Sequence, residues 1–488
     1  MTKLANSRWF WIVFATLTIA VYFSGLTIPL VGPDEPRYAQ VAREMFERGD
    51  WFTPTLGGAN WFEKPALLYW LQIVSYSVFG ITEFAARFGS AIFGLCTVGC
   101  LWLLGRDVDK DFGNLLAVVA ASTLGIIVFA HGASFDVIVT FPITAAATAF
   151  FIFERKGRTL ALPAFYFFVG VALLAKGLIG IVLPYTIVGV YYLISWKPPS
   201  KKFLLSVVWG TALALALAAV WYLPMYLTHG YTFIDEFFIQ HHFQRYTTNK
   251  YLHPQPFYFF FWVLPLMTIP WLPFFIAAII RWLLDIFHHR DTETPRNKMG
   301  LEVKQLRLFA IAWLVVPLLF FSFSGSKLPG YILPAVLPGI VITGMFLERL
   351  ITKNEVWRFP VQVFALGMLL IVYIAISFAL PSYADQESVK SLIAAADLRG
   401  FSESKVMGYQ SVSHNAEFYA SGRLLGGPDG KQQRVPDIPS VNTITSQVGP
   451  VLLLVRSNKL EEVVSNEAIK AEVLAFNGKL YIVAVSPQ

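Results

Sequence analysis

The stretch WFWIVFATLTIAVYFSGLTIPLVGPDEPRY, residues 9 to 38, decides the fold class. Its first part, Trp9 to Val31, is an apolar run long enough for a helix to cross a hydrocarbon core of about 30 Å, and two carboxylates, Asp34 and Glu35, follow directly. The run is longer than a signal-peptide core and has no small-x-small cleavage site behind it, so it reads as a retained anchor. Comparable apolar runs recur as far as Leu380. Composition agrees, since 56% of residues are apolar and only 14% charged, against roughly 25% charged in a soluble domain. The chain is therefore read as a polytopic α-helical membrane protein.

The formal net charge of +7 comes from Lys and Arg gathered in short loops between apolar runs. Membrane orientation accounts for them, and nucleic-acid binding is not indicated. By the positive-inside rule, Arg155 to Arg158, Lys197 to Lys202, Arg290 to Arg307 and Arg349 to Arg358 lie in the cytoplasm. Segments 32–64, 131–136, the region of Lys176, 225–256 and 324–330 then face outward, and they hold most of the unusual polar residues. Parity requires an odd number of crossings between segment 32–64 and the inner Arg106 to Lys110. Ala66 to Phe79 is shorter than the ~17 residues of a span, so it is read as lying along the interface, and about 11 to 13 spans are expected. Residues 1–380 thus read as a transmembrane domain with outer loops 32–64 and 225–256. Residues 381–488 read as a small α/β domain on the outer side, with helix Glu387 to Leu398 and strands Lys405 to Tyr409, Val451 to Val455 and Lys479 to Val485. Cys96 and Cys100, one turn apart in an apolar run, read as packing residues.

The outer segments carry the candidate chemistry. Gly32-Pro33-Asp34-Glu35-Pro36-Arg37-Tyr38 runs into an amphipathic helix ending at Arg48, and the loop closes on Trp61-Phe62-Glu63-Lys64-Pro65. Asp34 has two readings that both stand at this point: a catalytic carboxylate at the membrane surface, or the N-cap of the helix that Pro36 begins. Glu63 and Lys64 are either a solvated pair or a cation ligand beside a phosphate-holding lysine. In Gln240-His241-His242-Phe243-Gln244-Arg245-Tyr246, followed by His253-Pro254, His242 and Arg245 are three apart and share a helix face. That spacing suits metal or phosphate binding. Asp136, Lys176 and Lys327 stand at span ends, where an ionisable group is costly and therefore a functional candidate, with snorkelling the plainer account of the lysines. Tyr331, taken alone, is an interfacial aromatic.

Five motifs in order carry more: Asp34-Glu35-Pro36-Arg37-Tyr38, Phe62-Glu63-Lys64-Pro65, Ala175-Lys176-Gly177, His242-Phe243-Gln244-Arg245-Tyr246 and Ser326-Lys327-Leu328-Pro329-Gly330-Tyr331. Together they resemble the lipid A 4-amino-4-deoxy-L-arabinose transferase family, polyprenyl-phosphate-dependent glycosyltransferases related to the protein O-mannosyltransferases. The resemblance implies a GT-C type glycosyltransferase fold. It also implies inverting transfer of a sugar from undecaprenyl phosphate to lipid A or another envelope glycolipid or glycan. Asp34 and Asp136 fall on the family's important aspartates, Glu63 and His242 on its ligands for a divalent metal, with zinc the expected ion and His241 the alternative ligand. Lys64, Arg245 and Tyr331 fall on its phosphate contacts, and Glu35, Arg37, Tyr38, Lys176 and Lys327 complete the expected substrate-binding set. A monomer in a bacterial inner membrane follows, with its active site and C-terminal domain on the periplasmic side and no nucleic-acid partner. The chain is shorter than typical members and its C-terminal domain is reduced, which leaves the sugar and the acceptor open.

In such a reaction the lipid phosphate is the leaving group, so fixed cations near it favour the transition state over the ground state. A phosphate acceptor needs no general base, whereas a hydroxyl acceptor does, and the task of Asp34 depends on which is used. A protein or glycan mannosyltransferase-like enzyme of the same fold is one alternative. A polyprenyl-lipid transporter or flippase is another; its repeated halves would be legible in the sequence, and no repeat is found.

Overall fold

The computed structural model describes residues 8–248, 254–287, 298–427 and 432–487. His253 and the basic residues Arg290 and Arg296 lie outside them. The chain divides into two compact units: residues 1–23, 63–68 and 89–373 form the first, and residues 24–62, 69–88 and 374–488 the second.

Among the described residues, six helices are long and apolar enough to cross a membrane. A seventh is added if Lys110–Ala121 and Leu124–Ala130, bent by 59°, count as one broken span. Four further apolar helices, Arg8–Phe23, Leu67–Phe79, Ala161–Lys176 and Ile179–Ser195, have 13 to 17 residues. At 1.5 Å per residue they reach about 20–26 Å, short of a ~30 Å core. Six or seven long helices and four shorter apolar ones, among the described residues, stand beside the 11 to 13 spans expected. Lys176 is followed by Gly177 at φ 66°, and the helix Lys201–Phe233 is interrupted at Gly230, φ 56°, both within segments that the sequence places between spans.

The first unit packs around aromatic side chains. Phe150 of helix Phe135–Lys156 contacts Phe165, Tyr191, Phe203 and Phe309, each from a different neighbouring helix, at centroid separations of 5.5 to 6.1 Å. At the far end of the same helix, Arg155 and Lys156 both pair with the buried Asp107, at 2.7 and 2.6 Å, which anchors one of the basic clusters read as cytoplasmic. Cys96 and Cys100 are free thiols.

In the second unit, helix Asp34–Arg48 stops at Gly49, φ 66°, whose N–H bonds back to the Met45 and Phe46 carbonyls. A short hairpin pairs Thr55–Leu56 with Ala59–Asn60. The C-terminal residues form a five-stranded mixed sheet in the order Arg434–Val435, Lys405–Tyr409, Val451–Arg456, Leu480–Pro487, Ile469–Phe476. Strand alternation divides its core. Leu452, Leu454, Ile482 and Ala484 face helices Lys390–Leu398 and His414–Tyr419, whereas Val451, Leu453, Val455 and Val483 face helix Ile438–Val448. All three expected strands are present; the sequence reading omits a further strand, Ile469–Phe476, although Ile469, Ala471 and Val473 alternate there with Lys470 and Glu472. The unit is also larger than the expected 381–488 domain. Gln40 Nε2 donates to Ser421 Oγ at 2.9 Å and Leu30 N to the Tyr419 hydroxyl at 2.7 Å, tying the first outer loop to the C-terminal residues.

Candidate active site

Two helix ends of opposite sign meet in the first unit. Asp136 lies in the first turn of Phe135–Lys156 and Lys176 in the last turn of Ala161–Lys176, positions where the helix dipole favours an anion and a cation respectively. Lys176 Nζ and Asp136 Oδ1 are 2.6 Å apart. The same ammonium lies 4.6 Å from the centre of the Tyr331 ring, a cation–π contact. Tyr331 is presented by the tight turn Pro329–Ile332 that opens helix Leu333–Lys353. Its hydroxyl accepts from Arg245 Nε at 3.1 Å. Arg245 follows an eleven-residue π-helix, Ile234–Gln244, a rare geometry often found at functional sites. There His242 Nδ1 donates to the Phe237 carbonyl at 2.6 Å.

These elements enclose a cavity of about 220 Å³ lined by Glu63, Lys64, Lys176, His241, His242, Arg245 and Tyr331, with Ile179, Val182, Phe243, Phe320 and Phe321 supplying apolar wall. Lys64, Lys176 and Arg245 line it with one carboxylate, Glu63, and Lys176 is also paired with Asp136; the remaining positive charge suits an anion carried on an apolar body. Two motif glycines make the approach possible. A β-carbon at Gly177 would collide with His242 Nε2, and one at Gly330 with Asp136 Oδ2. Gly177→Ala, which also strains a positive φ, is expected to destabilise the protein by about 1–3 kcal/mol, read as a lower unfolding midpoint in detergent. A midpoint equal to wild type would mean that His242 has room to move away.

The other expected residues are placed differently. Asp136 is absent from the cavity lining and touches Lys176, so it positions that lysine rather than the reacting atoms. Lys327 is 6% exposed and donates to the Ser324 and Gln255 carbonyls at 2.6 and 3.0 Å. Burial pushes its pKa below the ordinary lysine range. It holds its loop together instead of lining the cavity. In the second unit, Asp34 is the first helical residue and Pro33 occupies the cap position without a side-chain cap, so the N-cap reading does not hold. The Asp34 carboxylate pairs with Arg37 at 2.5 Å, and Arg37 lies 5.8 Å from the Trp61 ring centre. Glu35 and Tyr38, expected to touch substrate, are buried, 8% and 5% exposed. Glu35 pairs with Arg87 at 2.7 Å and accepts from Val31 N, which makes it structural. Sequence reading missed Arg87, although an arginine directly before an apolar run was a signal for a buried partner.

Glu63 and His242 line the same cavity, but no three His, Cys, Asp or Glu side chains among the described residues come together to hold a metal. One imidazole nitrogen is taken by Phe237, the other lies against Gly177, and three cations share the space. A zinc site built wholly from protein ligands does not fit these residues.

Comparison with known proteins bears on sequence family and fold. The family described as dolichyl-phosphate-mannose-protein mannosyltransferase matches residues 63–223. An undecaprenyl phosphate-α-4-amino-4-deoxy-L-arabinose arabinosyl transferase of Aeromonas salmonicida is 30% identical over 367 residues, 73% of this chain and 63% of that protein. The chain thus spans a little under two thirds of that relative's length. The corresponding Proteus mirabilis protein is 26% identical over 85% of this chain and 73% of its own. Among solved structures, ArnT from Cupriavidus metallidurans bound to undecaprenyl phosphate superposes with a TM-score of 0.79 over 98% of both chains at 22% identity.

Proposed function

We propose, on the premise that this chain is a sequence relative of the undecaprenyl phosphate-aminoarabinose arabinosyl transferases and has their GT-C fold, that it is a membrane glycosyltransferase. It moves a sugar from undecaprenyl phosphate to lipid A or another envelope glycolipid, acting as a monomer on the periplasmic face of the inner membrane. The observation that carries this reading is the cavity in which Lys64, Lys176, Arg245 and Tyr331 stand among aliphatic and aromatic walls. An anionic headgroup on an apolar chain, as in a polyprenyl phosphate, suits that pairing.

The lipid phosphate sits against Lys64 and Arg245. As the glycosidic bond breaks, negative charge grows on the phosphate, and these held cations stabilise it more than they stabilise the intact donor. Asp136 keeps Lys176 over the Tyr331 ring, and Tyr331 orients Arg245. No step runs through a metal. The divalent ion implied by the motif resemblance would have only Glu63 and a histidine, His242 or the adjacent His241, in this cavity to hold it, and would add positive charge beside the leaving phosphate. A stoichiometric metal found in lipid-bound protein and not in lipid-free protein would support it.

The test is release of undecaprenyl phosphate from a panel of undecaprenyl-phosphate sugars by purified protein with lipid A. Release that requires both acceptor and Lys64 establishes the transferase; bound lipid with no release from any donor points to a transporter. Asp34→Asn then tests whether Asp34 acts as a general base. Transfer to a phosphate acceptor is expected to persist, whereas transfer to a hydroxyl acceptor should fall by about 100-fold. An equal loss with both acceptors would remove the general-base role.

A further inference from the structure

A second group of cations stands at the far end of a helix that serves the first cavity. Helix Leu333–Lys353, whose opening turn presents Tyr331, rises about 24 Å from Leu333 to Arg349, most of a ~30 Å hydrocarbon core. There Arg349 joins Arg281 and Asp285 of helix Leu272–Phe287 and Arg307 of helix Lys298–Ser322 around a cavity of about 80 Å³. Trp282, Ile311, Ile342 and Phe346 supply its apolar wall. Arg307 and Arg349 belong to the basic clusters read as cytoplasmic, so this cavity lies at the membrane face opposite Lys64, Lys176 and Arg245.

Three helices thus bring three guanidiniums to one small space, and Asp285 is the one carboxylate among the described residues that line it. Its oxygen is 3.8 Å from Arg349, a long contact beside the ~2.7–2.9 Å of a tight charge-assisted hydrogen bond. Snorkelling explains an arginine at a span end taken singly. Three of them converging repel one another, and an anion placed among them turns that repulsion into attraction. The planar donor fork of guanidinium matches phosphate oxygens. The volume admits one phosphate group and excludes the chains of a lipid, which have a place outside it. Ile276, Ile280, Leu283 and Leu284 form an exposed stripe at helical spacing on the adjoining face of helix Leu272–Phe287. A soluble phosphate would use the arginines and leave that stripe idle, whereas a phospholipid uses both.

We infer that this cavity holds the phosphate of an anionic phospholipid in the leaflet opposite the first cavity, with the acyl chains along helix Leu272–Phe287. The inference is independent of the proposed transfer. Native mass spectrometry of the full-length protein in detergent, titrated with phosphatidylglycerol and with phosphatidylcholine, tests it. Wild type is expected to bind phosphatidylglycerol the more tightly. Each arginine facing an anionic headgroup contributes about five-fold, so Arg281→Gln combined with Arg349→Gln should weaken phosphatidylglycerol binding by about 25-fold. Asp285→Asn removes the carboxylate that competes for Arg349 and should tighten binding by about three-fold. Lys201→Gln combined with Lys202→Gln takes two exposed charges from the same membrane face outside the cavity and should leave the affinity at the wild-type value. Unfolding midpoints report whether each variant is intact, and Arg281→Gln alone, with its five-fold loss, supplies the test if the double variant unfolds early. Equal affinity for the two lipids, wild-type affinity in intact arginine variants, or an equal loss from the two lysine changes overturns the site. Displacement of phosphatidylglycerol by glycerol phosphate at equal concentration overturns the assignment to a lipid. Undecaprenyl phosphate bound more tightly than phosphatidylglycerol, and lost with the two arginines, overturns the assignment to a phospholipid.

Discussion

Arg245→Met is expected to lower donor turnover by about 1,000-fold, the largest loss of activity among the substitutions considered. Arg245 Nε donates to Tyr331 at 3.1 Å, and the Tyr331 ring carries the Lys176 ammonium, itself held by Asp136. Methionine removes one charge from the phosphate site and releases the hydroxyl that fixes Tyr331, so Lys176 loosens as well. Because the interaction strengthens as charge builds on the leaving phosphate, the loss should fall on kcat as well as on kcat/KM. Arg245→Lys keeps the charge but not the planar fork, and an intermediate loss of about 10- to 100-fold follows. Tyr331→Phe keeps the ring beneath Lys176 and removes one hydrogen bond, worth about ten-fold. Steady-state release of undecaprenyl phosphate measures all three. Arg245→Met activity within about ten-fold of wild type would take Arg245 out of the phosphate site.

The second large effect concerns stability. Arg87→Met should cost about 3–5 kcal/mol, as expected when one member of a buried ion pair is removed. Arg87 is 1% exposed. It donates to both Glu35 oxygens and to the carbonyls of Leu26, Ile28 and Pro29 at 2.5 to 3.1 Å. Its loss leaves a buried carboxylate and three carbonyls without that partner, in the segment that enters helix Asp34–Arg48. Denaturant unfolding together with proteolysis of residues 24–31 would detect this. The double variant Arg87→Met, Glu35→Met should recover part of the loss, since no lone charge is then left buried. A single variant within about 1 kcal/mol of wild type would mean that the network does not hold this segment.

The site was partly legible in the sequence. Lys64, Lys176, His242, Arg245 and Tyr331 were picked out as ionisable or aromatic groups beside apolar runs, and the structure brings them to one cavity. Glu35 and Lys327 satisfied the same criterion and serve the fold instead. Whether a charge at a span end meets a ligand or another protein group depends on what packs opposite it. For Glu35 that group is Arg87, 52 residues away. For Lys327 it is two backbone carbonyls. The close contacts of Gly177 and Gly330 with His242 and Asp136 appear only once the helices are assembled.

Local composition by itself determined that this is a many-helix membrane protein ending in a small α/β fold. The transfer of an apolar run into lipid is a sum over neighbouring residues, and strand alternation is equally local. Which charges converge was decided only by the tertiary structure, as was the grouping of residues 24–62 with the C-terminal sheet in one unit. Those outcomes depend on distances between residues far apart in the chain, and only packing sets such distances.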